Sequence, residues 1–291
     1  MAEVSILSPA ECKLGEGPTF DPARETLFWF DILGCKRHAL HMPTGSETVL
    51  DLPEMASAMA VIDAGRDMIL TETGLHVLDN ATGKLTPHVE IEADNPVTRS
   101  NDARVHPSGA FWIGTMGREA EQGAGAWYRY FRGEVEKLYD RVTIPNACCF
   151  SPEGRSAWFV DSRSRKWMRV AVDPSNGAPC GEPELFYDFG AEKGGPDGAV
   201  CDAEGNLWIA RYGGGRLDCF SPAATCILSI DLPASQTTCP AFAGDGLIAV
   251  TSAWQTMDAE ARAADPDAGK TFLVKTPVKA KYDPPVAFAE T

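Results

Sequence analysis

The stretch "HPSGAFWIGT", residues 106–115, sets a polar turn containing Gly109 directly before an apolar run centred on Trp112. One such stretch is an ordinary hairpin signal. This one recurs, as "FDPARETLFWFDI" (20–32), "IDAGRDMILTE" (62–72), "SPEGRSAWFVDS" (151–162), "DAEGNLWIARY" (202–212) and "FAGDGLIAVTS" (242–252). Anchored on Phe28, Ile69, Trp112, Trp158, Trp208 and Ile248, the copies are 41, 43, 46, 50 and 40 residues apart. That is the ~40 to 50-residue period of four-stranded blades. The reading is an all-β chain folded as a six-bladed β-propeller.

The segments between anchors agree. "TGLHVLDNATGKLTPHVE" (73–90) and "GAWYRYFRGEVEKLYD" (125–140) each read as two strands joined by a tight polar turn. "AEVSIL" (2–7) and "KTFLVKTPV" (270–278) are strand-like, and pairing them would close the ring without open edges. Only "DAEARAAD" (258–265) suggests a short helix. A sandwich would lack the four-strand superperiod.

Composition sets limits on partners. The 291 residues are 44% hydrophobic and 23% charged, with 27 Gly and 21 Pro scattered along the chain. This fits one domain over residues 1–291 with many turns. A formal charge of -15 with no basic run argues against nucleic acid and against an anionic membrane, both of which need clustered Lys and Arg. The first residues show no basic and apolar leader, and no window reaches the ~18 apolar residues of a membrane span. A cytoplasmic protein is expected, monomeric or weakly oligomeric. Nine cysteines without Cys-x-x-Cys spacing, two of them adjacent at Cys148 and Cys149, fit reduced thiols packed as small apolar groups.

Eleven or twelve residues before the anchors stand Glu16, Ser57, Asn101, Asn146, Asp197 and Thr237, all polar. Equivalent positions on innermost strands converge on a propeller's central channel. Four of them sit in irregular contexts, "LGEGPTF", "RSNDARV", "IPNACCF" and "GPDGAVC". Singly each is a turn signal; in register they suggest a ring of oxygen groups.

These motifs, from "LGEGPTFDPARETLFWFDI" through "SNDARVHPSGAFWIGTM" and "PNACCFSPEGRSAWFVDS" to "GGPDGAVCDAEGNLWIARYGGGRL", resemble the SMP-30/gluconolactonase group, the regucalcin-like sugar lactonases. The resemblance covers most of the chain. It implies a six-bladed propeller with one divalent cation held by Glu16, Asn146 and Asp197, and substrate contacts from Arg99, Asn101 and Glu119. Ala103 and Ala147 stand where the family usually has Gly, and Arg211-Tyr212 replaces a more usual Leu-Trp pair, placing a cation near the channel mouth. Arg99, Arg118 and Arg211 are then candidates for admitting a dicarboxylic sugar lactone.

A Glu, an Asn and an Asp offer hard oxygen ligands, favouring Ca²⁺, with Mg²⁺, Mn²⁺ or Zn²⁺ as alternatives. Three protein ligands leave positions open for water and substrate. The expected reaction is hydrolysis of an aldonic-acid lactone, a small-molecule sugar lactone, to the free acid, with the carbonyl polarised by the cation. Asp197 acts on the attacking water, and Asp102 orients Asn101 from behind. The rivals are a metal-dependent aryl ester or phosphotriester hydrolase, and a non-catalytic calcium-binding or sugar-sensing propeller. No Gly-x-Ser-x-Gly elbow, histidine zinc pattern or phosphate loop is present.

Overall fold

The computed structural model, which describes residues 2–290, consists of six antiparallel four-stranded sheets in a six-bladed β-propeller arrangement. The chain divides into two compact units of three sheets each.

The first unit comprises Met1–Pro53 and Phe189–Tyr282. One sheet is β2–β3–β4–β5 (Gly15–Asp21, Thr26–Asp31, Lys36–His41, Ser46–Asp51). Another is β18–β19–β20–β21 (Gly195–Cys201, Leu207–Tyr212, Arg216–Phe220, Cys226–Asp231). The third, β22–β23–β24–β1 (Thr237–Gly244, Leu247–Ser252, Thr271–Lys275, Glu3–Ser8), joins the two chain ends as expected, with Val4 paired to Val274. The helix α1, Ala259–Ala264, falls where "DAEARAAD" placed it, and Asp258 caps it by accepting the Ala261 N–H at 2.9 Å.

The second unit comprises Glu54–Asp188 and Asp283–Thr291. Its sheets are β6–β7–β8–β9 (Ala56–Val61, Arg66–Thr71, Gly74–Asp79, Leu85–Glu90), β10–β11–β12–β13 (Thr98–Val105, Phe111–Gly117, Gly125–Phe131, Glu134–Val142) and β14–β15–β16–β17 (Pro145–Phe150, Ser156–Asp161, Lys166–Ala171, Glu184–Asp188). The C-terminal tail ties two of them, since Val286 N–H donates to Val61 and Ala287 N–H to Gly109.

The anchor strands are almost wholly buried, so they read as continuous apolar runs and not as alternation. Trp112 and Phe150 pack edge-to-face at 5.4 Å between two sheets of the second unit. Outer strands such as β5 and β21 are largely exposed and polar or mixed. All nine cysteines are free thiols. Burial pushes those of Cys12 and Cys219 up to about 12, so they pack as neutral groups.

Within each unit the leading strands lie side by side, β22 against β2 and β18, and β10 against β6 and β14. This leaves little room for side chains between them. A Cβ on Gly198 would come within 2.3 Å of the Cys239 Sγ, which explains a glycine directly after Asp197.

Candidate active site

Every leading strand carries a bulge near its start, where extra residues face one on the partner. Ladder pairing gives a stricter ruler than counting along the chain. The residues opposite the six anchors are Thr19, Met59, Arg104, Cys149, Val200 and Phe242. Stepping back three residues from each reaches Glu16, Ala56, Asn101, Asn146, Asp197 and Cys239.

The four motif residues therefore share one structural position, and Ser57 and Thr237 do not. This corrects the six-membered ring, because turn lengths in the hairpins differ and shift the simple count. Ser57 instead donates to Ser100 Oγ at 2.9 Å, and Thr237 donates to the carbonyls of Arg211 and Arg216 at 3.1 and 3.2 Å.

In the second unit Arg99, Asn101 and Asn146 form one bonded chain. Arg99 Nη1 donates to Asn101 Oδ1 at 2.9 Å, and Asn101 Nδ2 donates to Asn146 Oδ1 at 3.0 Å and to the Pro145 carbonyl at 2.8 Å. Asn146 Nδ2 donates to Ser162 Oγ at 3.0 Å. Both amides are thereby held in one orientation, and Asn146 Oδ1 keeps a second lone pair. All three residues are buried. Ser162 was not anticipated from sequence, although it follows the Trp158 strand directly.

Asp102 does not orient Asn101. Its Oδ2 accepts the Cys148 N–H at 2.8 Å, a donor that the β14 bulge leaves outside the ladder. Burial pushes its pKa up to about 6, with Arg104 pulling the other way. Because the folded value lies above the ordinary one, stability contributed by the protonated form is lost as pH rises from about 4 to about 6. The loss is about 3 kcal/mol. Asp102→Asn should remove that dependence, so denaturant titrations at pH 4 to 7 should show the variant gaining on the parent by about this amount.

In the first unit Glu16 and Asp197 are buried carboxylates. Both lie within electrostatic reach of the Tyr212 phenol, whose pKa is raised chiefly by burial and further by Asp197 and Glu16. Hydrogen bonds with Gln255 and Thr256 partly offset the rise. Two buried negative charges acting on one phenol form an environment that a divalent cation would stabilise. Among the described residues no three His, Cys, Asp or Glu side chains form a metal-holding cluster, so a cation here needs amide or water oxygens as well. Tyr212 is a residue that the motif reading passed over in favour of its neighbour Arg211.

Arg211 is not a cation at a channel mouth. It is fully buried, paired with Asp218 at 2.8 Å and Glu192 at 3.1 Å, and lies over the Phe189 ring at 4.3 Å. Arg118 is likewise engaged by Glu72. Glu119 is exposed on the turn that follows β11, at the end of the sheet where Thr98 begins β10. The two alanine departures differ. Ala147 does adopt a positive φ of 56°, matching Gly17 at 55° after Glu16, whereas Ala103 is not in that region and requires no glycine.

The SMP-30/Gluconolactonase/LRE-like region family model matches residues 14–253. A Rhizobium meliloti (strain 1021) protein provisionally named a sugar lactone lactonase is 47% identical over 96% of this chain and 95% of its own length. The 6-deoxy-6-sulfogluconolactonase of Pseudomonas putida is 31% identical over 93% and 94%. The crystal structure of a calcium-binding protein, regucalcin, from Agrobacterium tumefaciens str. C58 superposes with a TM-score of 0.94 at 47% identity, covering 96% of this chain and 95% of that one. With its six four-stranded sheets and four motifs at one register position, the chain belongs to the SMP-30/gluconolactonase/LRE-like family.

Proposed function

We propose that this protein is a metal-dependent lactonase that opens a sugar-acid lactone to the free acid, with one divalent cation, Ca²⁺ first, held by Glu16, Asn146 and Asp197. The observation that carries this reading is that Glu16, Asn101, Asn146 and Asp197, four oxygen-bearing side chains, each stand at the bulge three residues before the ladder partner of their sheet's anchor. Lactonase names among relatives spanning nearly the whole chain support the reaction. The calcium-binding regucalcin neighbour supports the cation.

When bound, the cation supplies Lewis-acid polarisation of the lactone carbonyl. Asp197 takes a proton from the attacking water and returns it to the ring oxygen as that leaves as a hydroxyl. Asn146 contributes an amide oxygen whose direction is fixed before substrate arrives, so no reorientation is needed. Arg99 and Asn101, already bonded to each other, present a rigid polar pair for sugar hydroxyls, and Glu119 adds an acceptor from its exposed turn. Nine free thiols suit a reducing, cytoplasmic setting.

The test is acid release in a pH-stat over a panel of sugar lactones, aryl esters and phosphotriesters, with a chelator and with Ca²⁺ restored. Lactone turnover that chelation abolishes and Ca²⁺ restores is expected. Faster turnover of aryl esters or phosphotriesters would favour the rival hydrolase, and no turnover at all would favour a binding protein.

A further inference from the structure

The second unit contains a cavity of about 530 Å³ lined by Gln122, Arg141, Thr143, Asp161, Arg163 and Ser164. It lies between two loops already tied to the candidate site. One is the β11–β12 turn that carries Glu119; its Gly123 N–H donates to Thr143 Oγ1 at 3.1 Å. The other follows β15, where Ser162, the partner of Asn146, sits between the cavity residues Asp161 and Arg163.

Two exposed arginines, Arg141 and Arg163, line the cavity. Arg66, Arg118, Arg129 and Arg169 elsewhere on this unit each hold a carboxylate. Among the described residues, no ion-pair partner holds Arg141 or Arg163. The one carboxylate in the lining is already committed. Asp161 accepts the N–H groups of Thr143 at 2.9 Å, Ile144 at 3.1 Å and Arg163 at 3.0 Å, so it serves the backbone. Glu121, next to Gln122, has its Oε2 on the Glu119 N–H at 3.0 Å.

In a chain of net charge -15, where acidic partners are plentiful, two arginines left to one concave site form a local positive field. Arginine's planar fork binds oxyanions in bidentate fashion. Gln122, Thr143 and Ser164 add neutral groups able to hydrogen-bond the same oxyanion or adjacent hydroxyls.

We infer that Arg141 and Arg163 form an anion subsite beside Asn146, and that the lactone substrate carries a second anionic group remote from its carbonyl. This inference rests on the lactonase reading for the reacting end of the substrate. The shared chemistry is an oxyanion at the far end of a sugar lactone, whether carboxylate, sulfonate or phosphate.

The experiment compares kcat/KM on matched lactones, a neutral hexonolactone and its counterparts ending in a carboxylate, a sulfonate or a phosphate. The enzymes are wild type and Arg141→Gln, Arg163→Gln and the double variant. At least one anionic lactone should outperform the neutral one in wild type by about tenfold or more, and the preferred member identifies the group. In the double variant kcat/KM on that substrate should fall about 10- to 100-fold more than on the neutral lactone, chiefly through KM, and the gap should shrink at high salt. An equal fall on both substrates, or no fall on either, overturns the subsite.

If no lactone is opened by wild type, the proposed function fails. The subsite is then decided by calorimetric binding of the corresponding sugar diacid in the presence of Ca²⁺. Binding about tenfold weaker in the double variant supports the subsite, and equal binding overturns it.

Discussion

Replacing Asp197 by Asn should lower lactone turnover by about 10³-fold, with a much smaller loss of cation affinity. General acid–base catalysis by a positioned side chain contributes about 10² to 10⁴ in rate. An amide keeps a ligand oxygen of similar size but cannot accept the proton of the attacking water. Asp197 stands in the unpaired part of the β18 bulge, between Pro196, which pairs with Arg211, and Gly198, whose missing Cβ lets Cys239 approach. The substitution is therefore sterically mild, and folding should be preserved. Steady-state kinetics alongside calorimetric Ca²⁺ titration checks this. If turnover and affinity both stay at the parent level, Asp197 is not the base. If both collapse together, its role is that of a ligand alone.

Arg211→Met should cost about 3 kcal/mol of stability, read as a fall in Tm of roughly 5 to 10 °C. The side chain is wholly buried, and it pairs with Asp218, itself buried. Truncation would leave part of that charge uncompensated, while Arg216 and Ser229 stay on Asp218 at 3.1 and 2.6 Å and keep the loss near the low end for a broken buried pair. Arg211 also donates to the carbonyls of Lys193 and Gly194 at 3.3 and 3.0 Å, which lead directly into Gly195, Pro196 and Asp197. Turnover should thus fall along with Tm, although Arg211 touches no reacting atom. The double variant Arg211→Met with Asp218→Leu should recover most of the stability, because it removes both charges. Failure to recover would assign the loss to the loop contacts and the Phe189 stacking instead.

The two-residue departure "RY" in "IARY" shows how sequence and structure divide the work. By sequence, an arginine entering a family motif looked like a change in substrate charge. By structure it is an internal strut, and the arginines that line a cavity are Arg141 and Arg163. Neither of those stands in a motif. Arg141 is the penultimate residue of the acidic strand β13 and Arg163 lies in a polar turn; both are exposed, and nothing in one dimension sets them apart from other solvated surface. Asp102 likewise stood next to a site residue, yet its carboxylate turns to the Cys148 N–H of the neighbouring sheet. Adjacent residues on a strand point to opposite faces, so proximity along the chain says little about a shared partner.

What the sequence alone determined was what repeats. Apolar runs at a 40- to 50-residue period specify six sheets, because each run is a buried strand, and the paired end segments specify the sheet that joins the two chain ends. Among six polar residues at matching distances, the motif contexts also set Glu16, Asn101, Asn146 and Asp197 apart as candidates. The tertiary structure decided which polar residues share a position and which only share a distance. Bulges and unequal turns moved Ser57 and Thr237 out of register. It also decided how Arg99, Asn101, Asn146 and Ser162 lock one another, and which arginines are neutralised. The physical reason is range. Strand pattern and blade period follow from local burial, whereas register, hydrogen-bond direction and charge pairing are settled between segments far apart in sequence, where a one-residue slip changes every partner.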